Sequence, residues 1–262
     1  MAKIFVNNHK KQVIYANLRK FKQGETGMFY SERQMQILEL LQKEKSASVH
    51  RLAKQLNISE SSIRRDLMAL EGIGKIHRTF GGAVLIEAGE REVSLLYRRS
   101  QNMRAKQQIA QKAVSHIRDG MMVFLDASST VAQIIPLLDR FEDLTVITNS
   151  PQASVALAEM KIQNHCTGGR MLNNSFALVG TGAARYLENI RADILFFSSR
   201  GLSKDGVLSD SMEEEVHIRR VMLEHAEKKI FLCDRSKFGQ SYPYQLCRLE
   251  ELDAMISEEW QE

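Results

Sequence analysis

Apolar residues recur at helical spacing in three consecutive segments of the first third of the chain. Residues 32–42 and 49–56 carry the first two stripes, with apolar positions three and four residues apart. A third stripe follows a short break and places Ile63, Leu67 and Leu70 at positions i, i+4 and i+7. This pattern predicts a helix, a short helix, a tight turn and a third helix, which is the arrangement of a helix-turn-helix unit.

The third predicted helix leaves two serines and two arginines on or beside its outward face, namely Ser61, Ser62, Arg64 and Arg65. In a helix-turn-helix unit the last helix enters the major groove of DNA, where small hydroxyls permit close approach and arginines pair with phosphates or guanine. The alternative is an ordinary solvent-exposed face, on which Arg65 pairs with a neighbouring acid. The carboxylate of Asp66 is predicted to orient an arginine rather than to contact DNA.

Serines also precede the second and third helices, and a basic hairpin follows them. Ser48 and Ser59 are predicted N-caps, because a serine oxygen accepts hydrogen bonds from the free amides of a first helical turn. Residues 75–78 predict a short strand, the glycine pair 81–82 a turn, and residues 83–86 the return strand. A basic wing of this kind is suited to the DNA backbone or the minor groove.

Beyond residue 90, apolar runs alternate with amphipathic segments. Runs such as 121–125 and 192–197 predict buried strands, and segments such as 106–117 and 129–140 predict helices. This order predicts a mostly parallel sheet covered on both faces, with a ligand site beyond the carboxyl ends of its strands. The charged segment 213–220 predicts a solvent-exposed helix face with ion pairs four residues apart, the alternative being a ligand gate or a subunit contact.

Polar residues stand at the carboxyl ends of several predicted strands. Hydroxyls and free amides at the start of the helix predicted over 129–140 would favour an anion such as phosphate. A lysine and an arginine would add positive charge, and an aspartate and an asparagine would hold sugar hydroxyls. The alternative is that each residue only caps a helix or closes a turn. The candidate ligand residues are Asp126, Ser128, Ser129, Thr130, Asn149, Gly168, Gly169, Arg170 and Lys237.

Charge is distributed unevenly along the 262 residues. Residues 1–27 hold six basic residues and one acidic residue, residues 28–86 hold nine and six, and residues 87–262 hold 21 and 25. The net charge of +4 therefore combines a basic front with a mildly acidic rear. This asymmetry favours an anionic partner for the front of the chain.

Composition argues against several other classes of protein. Apolar runs fall far short of the roughly 20 residues that span a bilayer, so no membrane helix is predicted. Cys166, Cys233 and Cys247 form no paired motif, which favours a reduced, cytoplasmic location. The histidines form no metal-ligand pattern and the glycines form no nucleotide-binding loop, so no metal, cofactor or catalytic residue is predicted.

Residues 52–84 carry a long ordered motif, LAKQLNISESSIRRDLMALEGIGKIHRTFGGAV. It closely resembles the winged helix-turn-helix of the DeoR family of bacterial transcription regulators, which typically reads S-x-x-T-I-R-R-D-L-x-x-L-E before a hairpin ending in R-x-H-G-G-A. Ser62 replaces the usual threonine and keeps the hydroxyl, whereas Phe80 replaces a histidine and removes a polar group. Together with the helical pattern, the resemblance predicts the DNA-contacting residues Ser48, Ser59, Ser61, Ser62, Arg64, Arg65, Lys75, Arg78, Gly81 and Gly82.

Four further segments, DASST, VITN, TGGR and DRSKFG, begin at Asp126, Val146, Thr167 and Asp234. They are similar to D-S-G-T-T, V-x-T-N, G-G and D-x-S-K-x-G of the DeoR-family effector domain, which shares the fold of ribose-5-phosphate isomerase. In the first segment Ala127-Ser128 replaces a pair that ends in glycine, which narrows the backbone conformations of the phosphate loop. The resemblance covers about residues 30–257.

The sequence therefore predicts an α/β protein in which a winged helix-turn-helix precedes a mostly parallel sheet domain resembling ribose-5-phosphate isomerase. The predicted segments are a basic N-terminal extension (1–27), a DNA-binding domain (28–86), a linker (87–105) and an effector-binding domain (106–262). The extension lies outside the resemblance and is a basic arm, a disordered tail or the product of a start assigned upstream of Met28.

The predicted function is that of a sequence-specific transcription regulator that represses a sugar-related operon. Its predicted partners are double-stranded operator DNA, a phosphorylated sugar or similar metabolite, and further copies of the chain in a homodimer or homotetramer. One alternative is a sugar-phosphate isomerase-like enzyme fused to a DNA-binding module, with Asp126 and Lys237 as acid and base. No spare carboxylate stands beside the glycine segments as a proton shuttle, which argues against it. Another alternative is a non-specific nucleic-acid binder.

Overall fold

The described part of the chain forms two compact units, and each has its own apolar core. The boundary falls between Gln101 and Asn102, within the predicted linker. The predicted extension 1–27 and residues 87–94 of that linker lie outside the described residues. This computed structural model describes residues 32–44, 46–72, 75–79, 81–85 and 95–259.

The N-terminal unit packs helices against a small antiparallel sheet, with strand order β1-β3-β2. The predicted helix, short helix, turn and helix are followed by the predicted hairpin, so the winged helix-turn-helix is confirmed. The elements are α1 (Glu32–Glu44), β1 (Ser46–Ser48), α2 (Val49–Leu56), α3 (Glu60–Gly72), β2 (Ile76–Thr79), β3 (Gly82–Leu85) and α4 (Leu95–Ser100).

The apolar stripe of α3 forms the centre of this unit. Ile63, Leu67 and Leu70 are all buried and belong to one cluster with apolar residues of α1 and α2. The tight turn before α3 begins at Asn57, which adopts a left-handed conformation at φ 53° and ends α2. Asparagine tolerates this conformation better than most residues. The opposite face of α3 is therefore fixed toward the outside of the unit.

Gly82 occupies a position where two strands approach closely. It pairs with Thr79 of β2 and with Ser48 of β1. A Cβ atom on Gly82 would lie 2.3 Å from the carbonyl oxygen of Ala47. The sequence placed Gly82 in the hairpin turn, but it is the first residue of β3, and Gly81 at φ 119° provides the turn. Phe80, which departs from the family motif, lies outside the described residues.

The C-terminal unit is built on a six-stranded parallel sheet with the order β14-β12-β9-β4-β5-β6. This sheet confirms the predicted α/β class. The elements are α5 (Met103–Ala113), β4 (Met122–Leu125), β5 (Thr145–Thr148), α6 (Pro151–Glu159), β6 (Gln163–Cys166), β7 (Arg170–Met171), β8 (Leu178–Val179), α7 (Thr181–Glu188), β9 (Ala192–Phe197), β10 (Gly201–Leu202), β11 (Val207–Asp210), α8 (Glu213–Glu224), β12 (Ala226–Leu232), β13 (Tyr244–Arg248) and β14 (Ala254–Ile256).

Both faces of the large sheet are covered. Successive residues of a strand point to opposite faces, and in β4 the side chain of Phe124 joins one apolar cluster while Val123 and Leu125 join the other. Helices α7 and α8 contribute to the first cluster, and α5 and α6 contribute to the second. The strands are thus buried on both sides, and polar residues are left to gather at their ends.

The helix predicted over residues 129–140 is not formed as one α-helix. It is divided into two short 3-10 helices, Val131–Gln133 and Ile135–Arg140. Pro136 stands in the first turn of the second, where its missing amide hydrogen costs nothing. Because Pro136 has no backbone N–H to donate, it also prevents a continuous α-helix through this position.

Cys166, Cys233 and Cys247 are all free thiols. Burial raises the pKa of Cys233, and it raises the pKa of Cys247 to about 12, so both thiols stay protonated at neutral pH. Within the described ranges, no helix has the combination of length and apolar character that crossing a membrane requires.

Gly82→Ala is expected to lower the free energy of unfolding of the N-terminal unit by about 1–3 kcal/mol, because the added methyl is forced against the Ala47 carbonyl oxygen. The matched control is Gly182→Ala, where a Cβ meets nothing within 4 Å. That substitution is expected to be neutral or to stabilise by up to about 1 kcal/mol. Urea unfolding followed by circular dichroism measures both, and an unchanged transition in Gly82→Ala would contradict the close approach.

Candidate functional site

The outward face of α3 presents four exposed side chains in one stripe. Ser61, Arg64, Arg65 and Met68 lie three and four residues apart, so they are neighbours on the helix surface. Met68 is 58% exposed. We call these four residues the outer face of α3. It brings two of the predicted DNA-contacting arginines together on the side opposite the core.

Hydroxyl groups cluster at the start of α3. The Oγ of Ser59 accepts a hydrogen bond from the backbone N of Ser62 (3.3 Å), which confirms the predicted N-cap. The same hydroxyl donates to Ser62 Oγ (3.0 Å) and lies 3.1 Å from Ser61 Oγ. Three predicted DNA-contacting serines therefore lie together at the helix N-terminus, where free amides and the helix dipole favour an anion.

Glu60 holds Arg64 against the helix surface. Its Oε2 accepts from Arg64 Nη2 (3.1 Å), and its Oε1 lies 3.2 Å from His50 Nδ1. The hydrogen bonds with His50 and Arg64 lower the pKa of Glu60, so this carboxylate is ionised at neutral pH. Among the described residues no ion pair involves Arg65, so the predicted alternative pairing with a neighbouring acid is not found there.

Asp66 does not belong to the outer face. It is buried, and it forms a two-point ion pair with Arg33 of α1, in which Arg33 Nη2 donates to Asp66 Oδ1 (2.9 Å) and Nε donates to Oδ2. The prediction that Asp66 orients an arginine is confirmed, and the arginine comes from a different helix. This pair fastens α3 to α1 and thereby fixes how the outer face is presented.

The wing is anchored to the same helix. The backbone N of Arg78 donates to Glu71 Oε1 (2.8 Å), and Arg78 Nη1 lies 3.8 Å from Glu71 Oε2. Lys75 lies directly before β2. Ser48 accepts from the backbone N of Arg51 (3.2 Å), which confirms it as the N-cap of α2. The contacts of Arg78 with Glu71 therefore fix the position of the wing relative to α3. The side chain of Ser48 is engaged in capping α2.

Asp126 organises the carboxyl edge of the large sheet. It follows β4 and is 2% exposed. Its Oδ1 accepts from the backbone N of Ser128 (3.0 Å), and its Oδ2 accepts from the backbone N of Ser198 (3.2 Å) and from Arg219 Nε (2.8 Å). The carboxylate thus ties the end of β4, the end of β9 and helix α8 together, and both of its oxygens are engaged.

Arg219 lies at the centre of a buried charge network. Its Nη1 donates to Asp210 Oδ2 and its Nη2 donates to Glu215 Oε2, both at 2.8 Å. Asp210 also lies 3.2 Å from Arg200 Nε. Burial by itself opposes the charge of Arg219, but Asp210, Glu215 and Asp126 raise its pKa above the ordinary value. The guanidinium is therefore permanently charged and fully committed to internal partners.

Lys237 joins hydroxyls from two strand ends. Its Nζ donates to Thr130 Oγ1 (3.2 Å) and to Ser198 Oγ, and it lies 3.7 Å from Asp234 Oδ2. The Lys237 side chain is 15% exposed, whereas the other three residues are almost completely buried. The lysine is thus the most accessible member of this group of four.

Asp234 supplies the negative charge next to Lys237. Burial opposes its ionisation, yet Lys237, the hydrogen bonds from Ser236 and the charge of Lys106 together lower the pKa of Asp234 below its ordinary value. Asp234 is therefore ionised at neutral pH. Among the described residues, no group of three or more His, Cys, Asp or Glu is placed to bind a metal ion.

The DASST loop differs from the predicted anion cradle in one respect. Ser128, Ser129 and Thr130 are buried at the sheet edge, and Ser128 Oγ accepts from the backbone N of Val131 (3.2 Å). The loop leads into a short 3-10 helix rather than the predicted α-helix. A 3-10 helix of three residues has few aligned peptide groups, so its dipole contributes little to binding an anion. The positive charge at this position comes from Lys237 instead.

Two other predicted ligand segments meet at β8. Asn149 Nδ2 donates to the Leu178 carbonyl oxygen (3.2 Å), and its Oδ1, which is buried, has no hydrogen-bond partner among the described residues. Gly169, at φ 107°, lies so close to β8 that an added Cβ would be 2.5 Å from the Val179 oxygen. Gly168, at φ 69°, faces open space. Gly169 therefore allows the loop after β6 to approach β8.

Arg170 is engaged elsewhere on the surface. It forms an ion pair with Glu214 in the first turn of α8, and both side chains are exposed. An exposed pair of this kind contributes little to stability and exchanges partners readily. The structure therefore brings Asp126, Ser128, Thr130 and Lys237 together through direct hydrogen bonds and their shared neighbour Ser198, and it gives no such contact between this group and Arg170.

Both units match known domain families. Residues 101–259 match the family described as the DeoR C-terminal sensor domain, and residues 33–88 match the DeoR-like helix-turn-helix domain. The chain belongs to the DeoR family. It is therefore a DNA-binding transcription regulator with a sensor domain and not an enzyme, which confirms the predicted family and class of function.

Relatives of this DeoR-family chain match most of its length. The regulator GolR of Listeria innocua is 34% identical, over 88% of this chain and 91% of its own. GlpR of Haloferax volcanii is 33% identical over the same shares. The lactose phosphotransferase system repressor of Staphylococcus epidermidis is 31% identical over 87% and 91%. Among solved structures, ribose 5-phosphate isomerase A of Methanocaldococcus jannaschii has a TM-score of 0.40, with 19% identity over 53% of this chain and 55% of its own.

The DeoR sensor domain also contains edge residues that the sequence did not indicate. Ser198 directly follows β9. The other candidates were identified as polar residues at the end of an apolar run, and the same criterion would have identified Ser198. Arg219 reaches Asp126 across 93 positions, and no local pattern announces such a contact. The predicted solvent-exposed face of residues 213–220 is wrong for Glu215 and Arg219, which are buried, although their ion pair four residues apart is confirmed.

Arg219→Met is expected to lower the free energy of unfolding of the DeoR sensor domain by about 3–5 kcal/mol, because three buried carboxylates lose their shared cation. Arg191→Met, which changes an exposed arginine of the same unit, is the matched control and is expected to stay within about 0.5 kcal/mol. Urea unfolding measures both. A loss below about 1 kcal/mol in Arg219→Met would show that the carboxylates are compensated without the guanidinium.

Proposed function

We propose that this DeoR-family chain represses a sugar-related operon and that a phosphorylated sugar, bound at the sheet edge around Lys237, controls its affinity for operator DNA. The names of the relatives support the metabolic context, since one of them is a repressor of a lactose phosphotransferase system. The observation that carries the proposal is the Lys237 ammonium group, partly exposed and surrounded by the hydroxyls of Thr130 and Ser198.

Operator DNA is contacted by the outer face of α3 and by the wing. Arg64 and Arg65 supply two exposed cations one turn after the serine cluster, in the part of the helix that reaches base edges in a major groove. The Glu60–Arg64 pair is exposed, so exchanging Glu60 for a phosphate costs little. Lys75 and Arg78 add cations on the wing. Ser48, Gly81 and Gly82 act by fixing the position of the wing, since their described contacts are internal.

The phosphate of the effector occupies the neighbourhood of Lys237. Ammonium and hydroxyl groups are suitable donors to phosphate oxygens, and Lys237, Thr130 and Ser198 offer both kinds at one point. The remaining hydroxyls, Ser128 and Ser129, lie in the same loop as Thr130. The charge of Asp126 is offset by Arg219, which reduces its repulsion of an anion.

The sugar part of the effector extends toward Asn149. The Oδ1 atom of Asn149 is an acceptor that lacks a donor among the described residues, and a buried acceptor in that state is costly. A sugar hydroxyl that reaches it provides the missing donor after a local rearrangement. The glycines after β6 allow close approach of a ligand because they carry no side chain, and Gly168 faces open space.

Two copies of the chain bind paired half-sites. A helix-turn-helix reads only a few base pairs, and pairing two copies about a two-fold axis doubles the sequence that is read. The assembly is a homodimer or a homotetramer built of such pairs, and the operator is correspondingly a pair of related half-sites.

Replacing Arg64 and Arg65 together by alanine is expected to raise the Kd for operator DNA by at least about tenfold, since each base or phosphate contact of an arginine contributes about 1–3 kcal/mol. The salt dependence of log Kd is expected to fall by about two charges. The probe is a duplex selected from random DNA with the unsubstituted chain, and binding is measured by fluorescence anisotropy. Arg191→Ala is the control, and an unchanged Kd in the folded double variant would contradict the assignment.

Lys237→Met is expected to abolish the response of operator binding to sugar phosphates. Glucose 6-phosphate, fructose 1-phosphate, fructose 6-phosphate and inorganic phosphate are titrated into the protein–duplex complex, and at least one sugar phosphate is expected to change Kd by about 5- to 150-fold. Lys112→Met, whose amine donates to the Ser257 and Glu258 carbonyl oxygens instead, keeps that response. An equal response in Lys237→Met and the unsubstituted chain would exclude the site.

A further inference from the structure

Asn102, the first residue of the C-terminal unit, adopts a conformation that its own helix does not require. It is the N-cap of α5, at φ 52° and ψ 33°, in the left-handed region. An asparagine at an N-cap normally accepts a hydrogen bond from an amide of the first turn. The Asn102 side chain makes no such bond. Asn102 thus does not stabilise the first turn of α5 through its side chain, and its carboxamide bonds with residues far away in the sequence.

The carboxamide of Asn102 binds the turn that carries Lys237. Its Nδ2 donates to Asp234 Oδ1 (3.0 Å) and to Ser236 Oγ (3.1 Å), more than 130 positions further along the chain. Asp234 is 1% exposed and is the N-cap of the 3-10 helix Arg235–Lys237. These two hydrogen bonds fasten the start of α5, and with it the point where the chain enters the C-terminal unit, to that turn.

The two oxygens of the Asp234 carboxylate have different partners. Oδ1 accepts from Asn102 Nδ2 and from the backbone N and Oγ of Ser236, and Oδ2 lies 3.7 Å from the Nζ of Lys237. Lys237 in turn donates to Thr130 and Ser198 at the sheet edge. A continuous series of polar contacts therefore runs from the strand ends through Lys237 and Asp234 to Asn102. Lys106, buried one turn further along α5, adds its charge on the same carboxylate.

We propose that Asn102 is a positioning residue that transmits the state of Lys237 to the boundary between the two units. An anion that engages the Lys237 ammonium weakens its attraction for Asp234 Oδ2. The carboxylate then shifts, the Asn102 hydrogen bonds change with it, and the left-handed conformation that these bonds hold is released. This inference deepens the proposed function, because it names the residues that link the sheet edge to the start of the C-terminal unit. Its effect on operator affinity rests on the proposed function.

The first test needs neither DNA nor effector and follows hydrogen exchange of the full chain by mass spectrometry. Lys237→Met is expected to speed exchange of the amides of residues 106–109 several-fold, because Asp234 loses the positive charge next to its Oδ2 and loosens its hold on Asn102. Asn102→Gly removes the carboxamide while leaving the left-handed backbone unstrained, and it is expected to speed the same amides. In the double variant Lys237→Met adds nothing further.

Asn189→Gly is the matched control, because it removes an asparagine amide that donates to the Arg185 carbonyl oxygen in the same unit. It is expected to leave residues 106–109 unchanged and to leave the Lys237→Met effect intact. Additive effects of Lys237→Met and Asn102→Gly, or no effect of Lys237→Met on these amides, would overturn the proposal.

The second test is a double-mutant cycle on operator affinity with the selected duplex. Lys237→Met and Asn102→Gly are each expected to change Kd, and their combination is expected to differ from the product of the single effects by at least about threefold. A residue with a merely structural role gives multiplicative effects, which would overturn the coupling. If selection recovers no duplex, the proposed function fails, whereas the exchange result still decides whether Lys237 and Asn102 are coupled.

Discussion

Buried carboxylates at the sheet edge must be neutralised, and the arrangement of the C-terminal unit depends on how this is done. Asp126, Asp210 and Glu215 are each 3% exposed or less, and removing an ionised carboxylate from water costs several kcal/mol. Arg219 offers Nε, Nη1 and Nη2 to these three residues separately. A lysine presents a single charged point and does not reproduce this planar fork. These contacts fix the positions of β4, β11 and α8 relative to one another.

This requirement divides the cations of the sheet edge into two kinds. Arg219 cannot leave its partners without depriving three buried carboxylates of the cation that they share, so it cannot also serve a ligand. Lys237 faces one carboxylate at 3.7 Å and two hydroxyls, and part of its side chain reaches solvent. In the proposed site, a phosphate takes the place of the hydroxyl contacts to Lys237, and ammonium and hydroxyl groups are both suitable donors to its oxygens. An exchangeable cation beside a fixed one is what a reversible sensor requires.

Local pattern was sufficient for much of this structure. The helix stripe of Ile63, Leu67 and Leu70, the serine caps and the parallel sheet follow from spacing and residue type, because each is decided by neighbours in the sequence. The parts that pattern did not reveal are decided by distant neighbours. Burial of Arg219 depends on carboxylates from two other elements, and the position of Gly82 depends on the backbone of β1. The candidate ligand residues were selected by residue type and by their position at strand ends, and neither criterion distinguishes an engaged carboxylate from an available one.

The same distinction between fixed and exchangeable pairs applies to the N-terminal unit. Arg33 and Asp66 form a two-point pair in which the carboxylate is buried, and breaking it would leave that charge without a partner. Glu60 and Arg64 form an exposed pair, which is weak because water and salt screen it. In the proposed contact with DNA, the exposed pair opens and frees Arg64 for a phosphate or a base, while the buried pair keeps α3 fixed against α1. Burial of the carboxylate partner, more than the identity of the cation, therefore decides which arginines of this helix pair stabilise the fold and which ones are available to a ligand.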